Sequence, residues 1–166
     1  MRKHILLLIT LLATLEVTAQ NNENFYFSNL NLKDGLSQIS VLKIFQDTKG
    51  FIWFGTRNGL NRYDGSEFVI YKHDPKDSLT LSDNHIWSLA EDNDRNLWIG
   101  TARGLNKLDL KTNRIKPFVD ERYGAFAKSE VRCLTVDSRN RLWIGTTKGL
   151  YLSLIHISEP TRHSLI

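Results

Sequence analysis

Cysteine is almost missing from this chain. Cys133 stands alone, and a single thiol excludes an internal disulfide framework. A strong charge of one sign is missing too. Lys and Arg number 22 against 18 Asp and Glu, for a net +4 spread along the chain. That balance excludes the basic footprint of a nucleic-acid binder. Long apolar runs are scarce. Only Ile5 to Leu15 comes close, and a membrane span needs about 20 residues. This run follows Arg2, Lys3 and His4 and precedes the small residues Val17, Thr18 and Ala19. Residues 1–19 are therefore expected to be a secretory signal peptide. Histidine is sparse as well. His4 lies in that leader and His156 and His163 near the end, which leaves His73 and His85. Their spacing shows no partners for a metal or a catalytic base.

What the chain does have is repetition. Phe51-Ile52-Trp53-Phe54-Gly55-Thr56 returns as Asn96-Leu97-Trp98-Ile99-Gly100-Thr101 and as Arg141-Leu142-Trp143-Ile144-Gly145-Thr146, each 45 residues on. Asp47, Asp92 and Asp137 hold one offset from the tryptophans. Gly59-Leu60, Gly104-Leu105 and Gly149-Leu150 hold another. A fixed period of this length signals a repeat architecture.

Each unit divides into short strands. Val41 to Phe45, Ile86 to Ala90 and Val131 to Thr135 form the first strand. Asp47, Asp92 and Asp137 open the turn that follows, where an Asp side chain caps its own backbone. Phe51 to Phe54 is the second strand, rich in aromatic and β-branched residues. Gly55 to Gly59 turns the chain, and Leu60 to Tyr63 is the third strand. Asp64-Gly65 reads as a two-residue hairpin with positive φ at both positions. Glu67 to Tyr71 is the fourth strand. In the second unit Lys111-Thr112-Asn113 is the corresponding turn, and Arg114 to Lys116 the outer strand. Four antiparallel strands per unit make a β-propeller blade. The expected fold is thus all-β, a partial propeller of about two and a half blades. The recurrent tryptophans are expected between blades, with each indole N–H bonded. Cys133 falls at the position of Lys43 and Ser88, and a half-buried thiol is expected there.

The expected organisation is a leader at 1–19, an N-terminal segment at 20–38, blades at 39–83 and 84–128, a partial blade at 129–151, and a tail at 152–166. One period on, Phe25-Tyr26 falls on Ile70-Tyr71, so Phe25 to Phe27 is expected to supply the outer strand of the last blade in a complete ring. The string from Leu152 to Arg162 breaks the repeat. It resembles the conceptual translation of a transposon-end sequencing adapter, and 152–166 is set aside as an assembly artefact. The chain is then expected to be the first part of a longer one.

The pattern Asp-x-x-Gly-x-(Ile/Leu)-Trp-(Ile/Phe)-Gly-Thr-x-x-Gly-Leu resembles the two-component regulator propeller repeat. It runs from Asp47 to Leu60 and recurs with Arg95 and Asn140 in place of Gly50. Asp47, Trp53, Gly55 and Gly59, then Asp92, Trp98, Gly100 and Gly104, then Asp137, Trp143, Gly145 and Gly149 carry it. The lead-in Phe27 to Leu30 and Asp34 to Ser37 also resembles the start of such domains. No Gly-His or Trp-Asp pair recurs, as WD repeats require, and no Gly-Gly doublet, as kelch requires. The resemblance implies the periplasmic sensor half of a hybrid two-component system, with an oligosaccharide as ligand. It implies further blades, a membrane-bound histidine kinase in a homodimeric parent, and no cofactor, metal or catalysis in this segment. The alternative is a fragment of a secreted propeller enzyme, a polysaccharide lyase or hydrolase.

Asp92 to Asn96 starts like a calcium loop. Leu97 stands where that loop requires glycine and Arg103 where it requires a bidentate glutamate, so a turn is expected. Asn58, Asn61 and Asn106 are read as turn and edge residues. The connections Lys72 to Asp83 and Val119 to Ser129 differ between units, and binding residues concentrate in such loops. Trp87, Arg122 and Tyr123 are the candidate sugar contacts.

Overall fold

The computed structural model describes residues 26–119 and 128–153. Residues 1–25, where the leader is expected, and Arg122, Tyr123 and residues 154–166 lie outside the described residues. A short 3-10 turn, Leu32–Asp34, is capped by Asn31 and followed by eleven strands. Blade 1 contains β1 (Val41–Gln46), β2 (Ile52–Thr56), β3 (Gly59–Tyr63) and β4 (Phe68–Tyr71). Blade 2 contains β5 (Ile86–Glu91), β6 (Asn96–Thr101), β7 (Gly104–Asp109) and β8 (Arg114–Pro117). Blade 3 contains β9 (Val131–Val136), β10 (Leu142–Thr146) and β11 (Gly149–Leu152). Each blade is an antiparallel meander with its strands in chain order. The innermost strand β5 touches both β1 and β9, so the blades sit side by side.

One carboxylate organises each blade. Asp47 accepts the backbone N–H of Lys49 and Phe51 on Oδ1, at 2.9 and 3.0 Å, and the indole N–H of Trp53 on Oδ2 at 2.9 Å. Asp92 does the same for Asp94, Asn96 and Trp98, at 3.0, 2.9 and 2.8 Å. Asp137 holds Arg139, Arg141 and Trp143, each at 3.0 Å. The turn expected at these aspartates is therefore also the tryptophan anchor. It lets a large ring enter the core with its one polar atom satisfied. The turn places a residue at positive φ in every copy: Gly50 at 91°, Arg95 at 70° and Asn140 at 59°.

The anchored rings fill the spaces between blades. Trp53 packs with Leu81, Ile86, Leu89, Leu97 and Ile99 between blades 1 and 2. Trp98 packs with Val131, Leu142 and Ile144 between blades 2 and 3. Both rings are buried, and β6 is buried along its whole length. Gly100 belongs to the same contact. A Cβ there would meet the Val131 carbonyl oxygen at 2.6 Å, so only glycine lets β9 approach β6. Polar ties reinforce the edge. Thr48 donates twice to the Glu91 carboxylate at 2.8 Å, and Asn93 N–H to Asn140 Oδ1 at 2.8 Å.

Several expectations change. Asp64-Gly65 is not a two-residue hairpin. Tyr63 pairs with Phe68, so four residues form the loop, and Gly65 has positive φ while Asp64 does not. Asp64 instead accepts N–H bonds from Ser66 and Glu67 at 2.8 Å, which widens the loop. The turn expected from Gly55 to Gly59 is only Arg57-Asn58, because Thr56 pairs with Gly59. Cys133 is exposed rather than half-buried. Ser88, its counterpart, is covered by Val131 of the next blade, whereas no inner strand follows β9 among the described residues. Leu152 continues β11, opposite Trp143. Tyr26 and Phe27 lie in no strand and are 91% and 94% exposed, and the last blade whose outer strand they are expected to supply is not among the described residues.

Candidate ligand-binding rim

Each innermost strand starts with a β-bulge. Pairing skips from Val41 to Lys43, from Ile86 to Ser88 and from Val131 to Cys133. The extra residues are Leu42, Trp87 and Arg132, one period apart. A bulge kinks its strand and re-aims the side chain that it carries. Here it gathers chemistry at the end of the blades where the connections between blades arrive.

Trp87 is the centre of this group. Its ring stacks on His85 with centroids 4.0 Å apart and planes at 28°. The Arg132 guanidinium, from the next blade, lies 4.0 Å from the Trp87 ring centroid, a cation–π contact. Arg132 is also ion-paired to Glu130, and Arg103 to Asp83 at 3.4 Å. The Asp83 carboxylate in turn accepts the His85 backbone N–H at 2.8 Å. The Trp87 indole N–H and the His85 Nε2 are buried without a hydrogen-bond partner among the described residues. Burial, and then the nearby charge of Arg57, hold the His85 imidazole below its ordinary pKa. Arg132 adds to this, while Asp83 and Glu130 pull the other way.

Of the sequence candidates, Trp87 is placed at this rim. Arg122 and Tyr123 lie outside the described residues, in the connection that leads to Glu130. Asn61 and Asn106 are fully buried and serve the scaffold. Asn61 holds the Ser37 N–H and Oγ, each at 2.8 Å, and Asn106 holds Ser82 identically. Ser37 and Ser82 also meet Thr56 and Thr101 at 3.1 and 2.9 Å. Asn58 donates to the Ser37 carbonyl at 3.2 Å. His73 is tied to the Leu81 carbonyl at 2.5 Å and to Asn84 at 2.7 Å, so it braces the connection between blades. At Asp92 the carboxylate is taken up by the Trp98 anchor and by both contacts from the Asn96 amide. Sequence reasoning misses Arg132, Arg57 and His85 as one group. The signal is present in the repeat: Arg132 stands one period after Trp87, at a position whose residue changes in every blade.

The arrangement defines three consecutive β-propeller blades, the third with three strands. The family model described as two component regulator propeller matches residues 35–58, 80–103 and 126–148, once at each blade. The chain carries this repeat three times, and each match starts at or before the lead-in that Asn61 and Asn106 hold in the first two blades. A curated relative, Histidine kinase P4 of Formosa agariphila, is 51% identical over 61 residues, covering 37% of this chain and 4% of that protein. The extracellular domain of a proposed one-component system of B. thetaiotaomicron superposes with a TM-score of 0.58 at 28% identity, over 76% of this chain and 18% of that one. PorZ, a surface component of the type-IX secretion system of Porphyromonas gingivalis, shares the fold. Its TM-score is 0.55 at 17% identity, over 68% of this chain and 19% of that one. The chain thus spans a small part of the proteins that it matches.

Proposed function

We propose that this chain is part of the periplasmic, ligand-sensing propeller of a two-component signalling receptor, and that the ligand is an oligosaccharide. The observation that carries the reading is the regulator propeller repeat at all three blades, together with 51% identity to a stretch of a histidine kinase. A relative that is an extracellular domain fits the export implied by the leader. In this reading the propeller binds and the kinase, elsewhere in a homodimeric parent, signals. The repeated residues hold blades together, and the rim supplies ligand contacts. The genomic DNA downstream of the Tyr151 codon tests it. The reading expects further repeats, then a membrane helix and a kinase. A stop codon after Ile166, or a catalytic lyase or hydrolase domain in place of the kinase, would overturn it.

A further inference from the structure

We infer that the rim around Trp87 binds an anionic group on the ligand, a carboxylate or a sulfate ester, through Arg57, Arg132 and the free indole N–H of Trp87. The inference rests on the sensor reading for the kind of molecule and on the rim for its charge.

The Trp87 ring is covered at rest by His85 and Arg132, so the part of it left without a partner is the indole N–H. The group holds two carboxylates, Asp83 and Glu130, each paired with an arginine, and it leaves the indole N–H as a donor without an acceptor. The Trp87 indole N–H can only donate. It is buried without an acceptor, as is the His85 Nε2 without a partner. The other three tryptophans give their indole N–H to an aspartate. The fourth therefore breaks a rule that the rest of the chain keeps. A buried donor left unmade is a standing penalty, and an acceptor arriving with the ligand removes it.

The charges favour an anion as that acceptor. Arg57 makes no ion pair among the described residues, and its turn is tied to the residue before His85 by the Gly59 N–H bond to the Asn84 carbonyl at 2.8 Å. Arg132 is about half exposed and is held at Glu130, so it is the movable part. Swinging its guanidinium from Glu130 to a ligand oxyanion keeps its charge paired and uncovers the indole. Arginine suits this exchange because its fork matches both carboxylate and sulfate oxygens. Asp83 does not compete, since Arg103 and the His85 backbone N–H already occupy it.

Indole-15N labelling of tryptophan gives the test, with Trp87→Phe identifying the Trp87 resonance. The sample is this chain, or the longer extracellular domain if the chain does not stay monomeric. Glucuronate, inorganic sulfate and glucose are titrated separately. The expected result is a saturable shift of the Trp87 indole N–H with an anion and none with glucose. The Trp53 and Trp98 resonances stay still. Response to glucuronate alone assigns a carboxylate, to sulfate alone a sulfate ester, and to both a site that reads charge. Arg57→Gln and Arg132→Gln should each weaken binding about tenfold. No saturable shift with either anion, an equal response to glucose, or unchanged titrations in both arginine variants would overturn the inference. The downstream gene sequence judges the sensor reading independently of these outcomes.

Discussion

The two ends of each blade follow opposite rules. At one end Asp47, Asp92 and Asp137 anchor Trp53, Trp98 and Trp143 with the same bonds, within 0.2 Å of one another. At the other end the bulge position holds Leu42, Trp87 and Arg132, three side chains with nothing in common. A position that recurs does a packing task that every blade must do, because each blade contacts only its neighbours. A position that is structurally constant but chemically variable is free to serve a ligand. Trp87 and Trp98 sit eleven residues apart in the same blade and fall on opposite sides of that division.

The largest expected break lies at the anchored end. Trp98→Ala should cost about 4 kcal/mol in urea unfolding, as a buried aromatic lost from a packed interface. Gly100→Ala should cost about 3 kcal/mol, because its Cβ meets Val131 backbone and must push blades 2 and 3 apart. Asp92→Ala should cost about 2 kcal/mol, since it strands the buried Trp98 indole N–H and two backbone donors. Each is measured in this chain, or in the longer domain that completes the ring. Trp87→Phe should change stability by less than about 1 kcal/mol, for it removes an unbonded N–H and part of a half-buried ring while leaving an aromatic face for His85. If Trp87→Phe proved as costly as Trp98→Ala, the division between the two ends would fail.

The ends should also separate in acid. Hydrogen bonds from the Trp143 indole and the Arg141 and Arg139 backbones, with that of the Arg141 side chain, hold the Asp137 carboxyl well below its ordinary range. Backbone N–H bonds from Glu67 and Ser66 and the Ser66 hydroxyl lower Asp64 to about 2. Depressed carboxylate pKa values contribute stability above the unfolded value, and lose it as pH falls through the folded one. The Asp137 anchor and the Asp64 loop should therefore weaken progressively below about pH 4. His85 is depressed as well, so the unfolded chain binds its proton first. Its contribution is present above about pH 6.5 and falls as the pH drops further. A pH series of unfolding midpoints should show a shallow loss in the histidine range, removed by His85→Gln, and a steeper one in the carboxylate range, reduced by Asp137→Asn.

Most of the anchored end is legible in the sequence. A strict period exposes whatever every blade needs, and strand positions follow from the turn residues that bound them. The indole bond is half visible there. The repeat implies a partner for each tryptophan and a capped turn at each aspartate, but not that one carboxylate does both. The rim is legible only in Trp87. A bulge is a defect of pairing between two strands, and nothing in Ile86-Trp87-Ser88 alone announces it. The exposure of Cys133 depends on a neighbouring blade, and the four-residue loop at Asp64 on how far β3 and β4 stay paired. Local sequence specifies neither. The spread of Leu, Trp and Arg over one repeat position is the clue that the sequence does contain.

Hydrogen exchange at the four indole N–H groups tests the central distinction most directly, in one sample and without a ligand. Trp53 and Trp98, buried and bonded to aspartate, should exchange slowest. Trp143, bonded but only half-buried, should be intermediate, and Trp87, unbonded, should exchange fastest. Protection of Trp87 equal to that of Trp98 would mean that its N–H is held as tightly as the anchored ones, and would contradict the account.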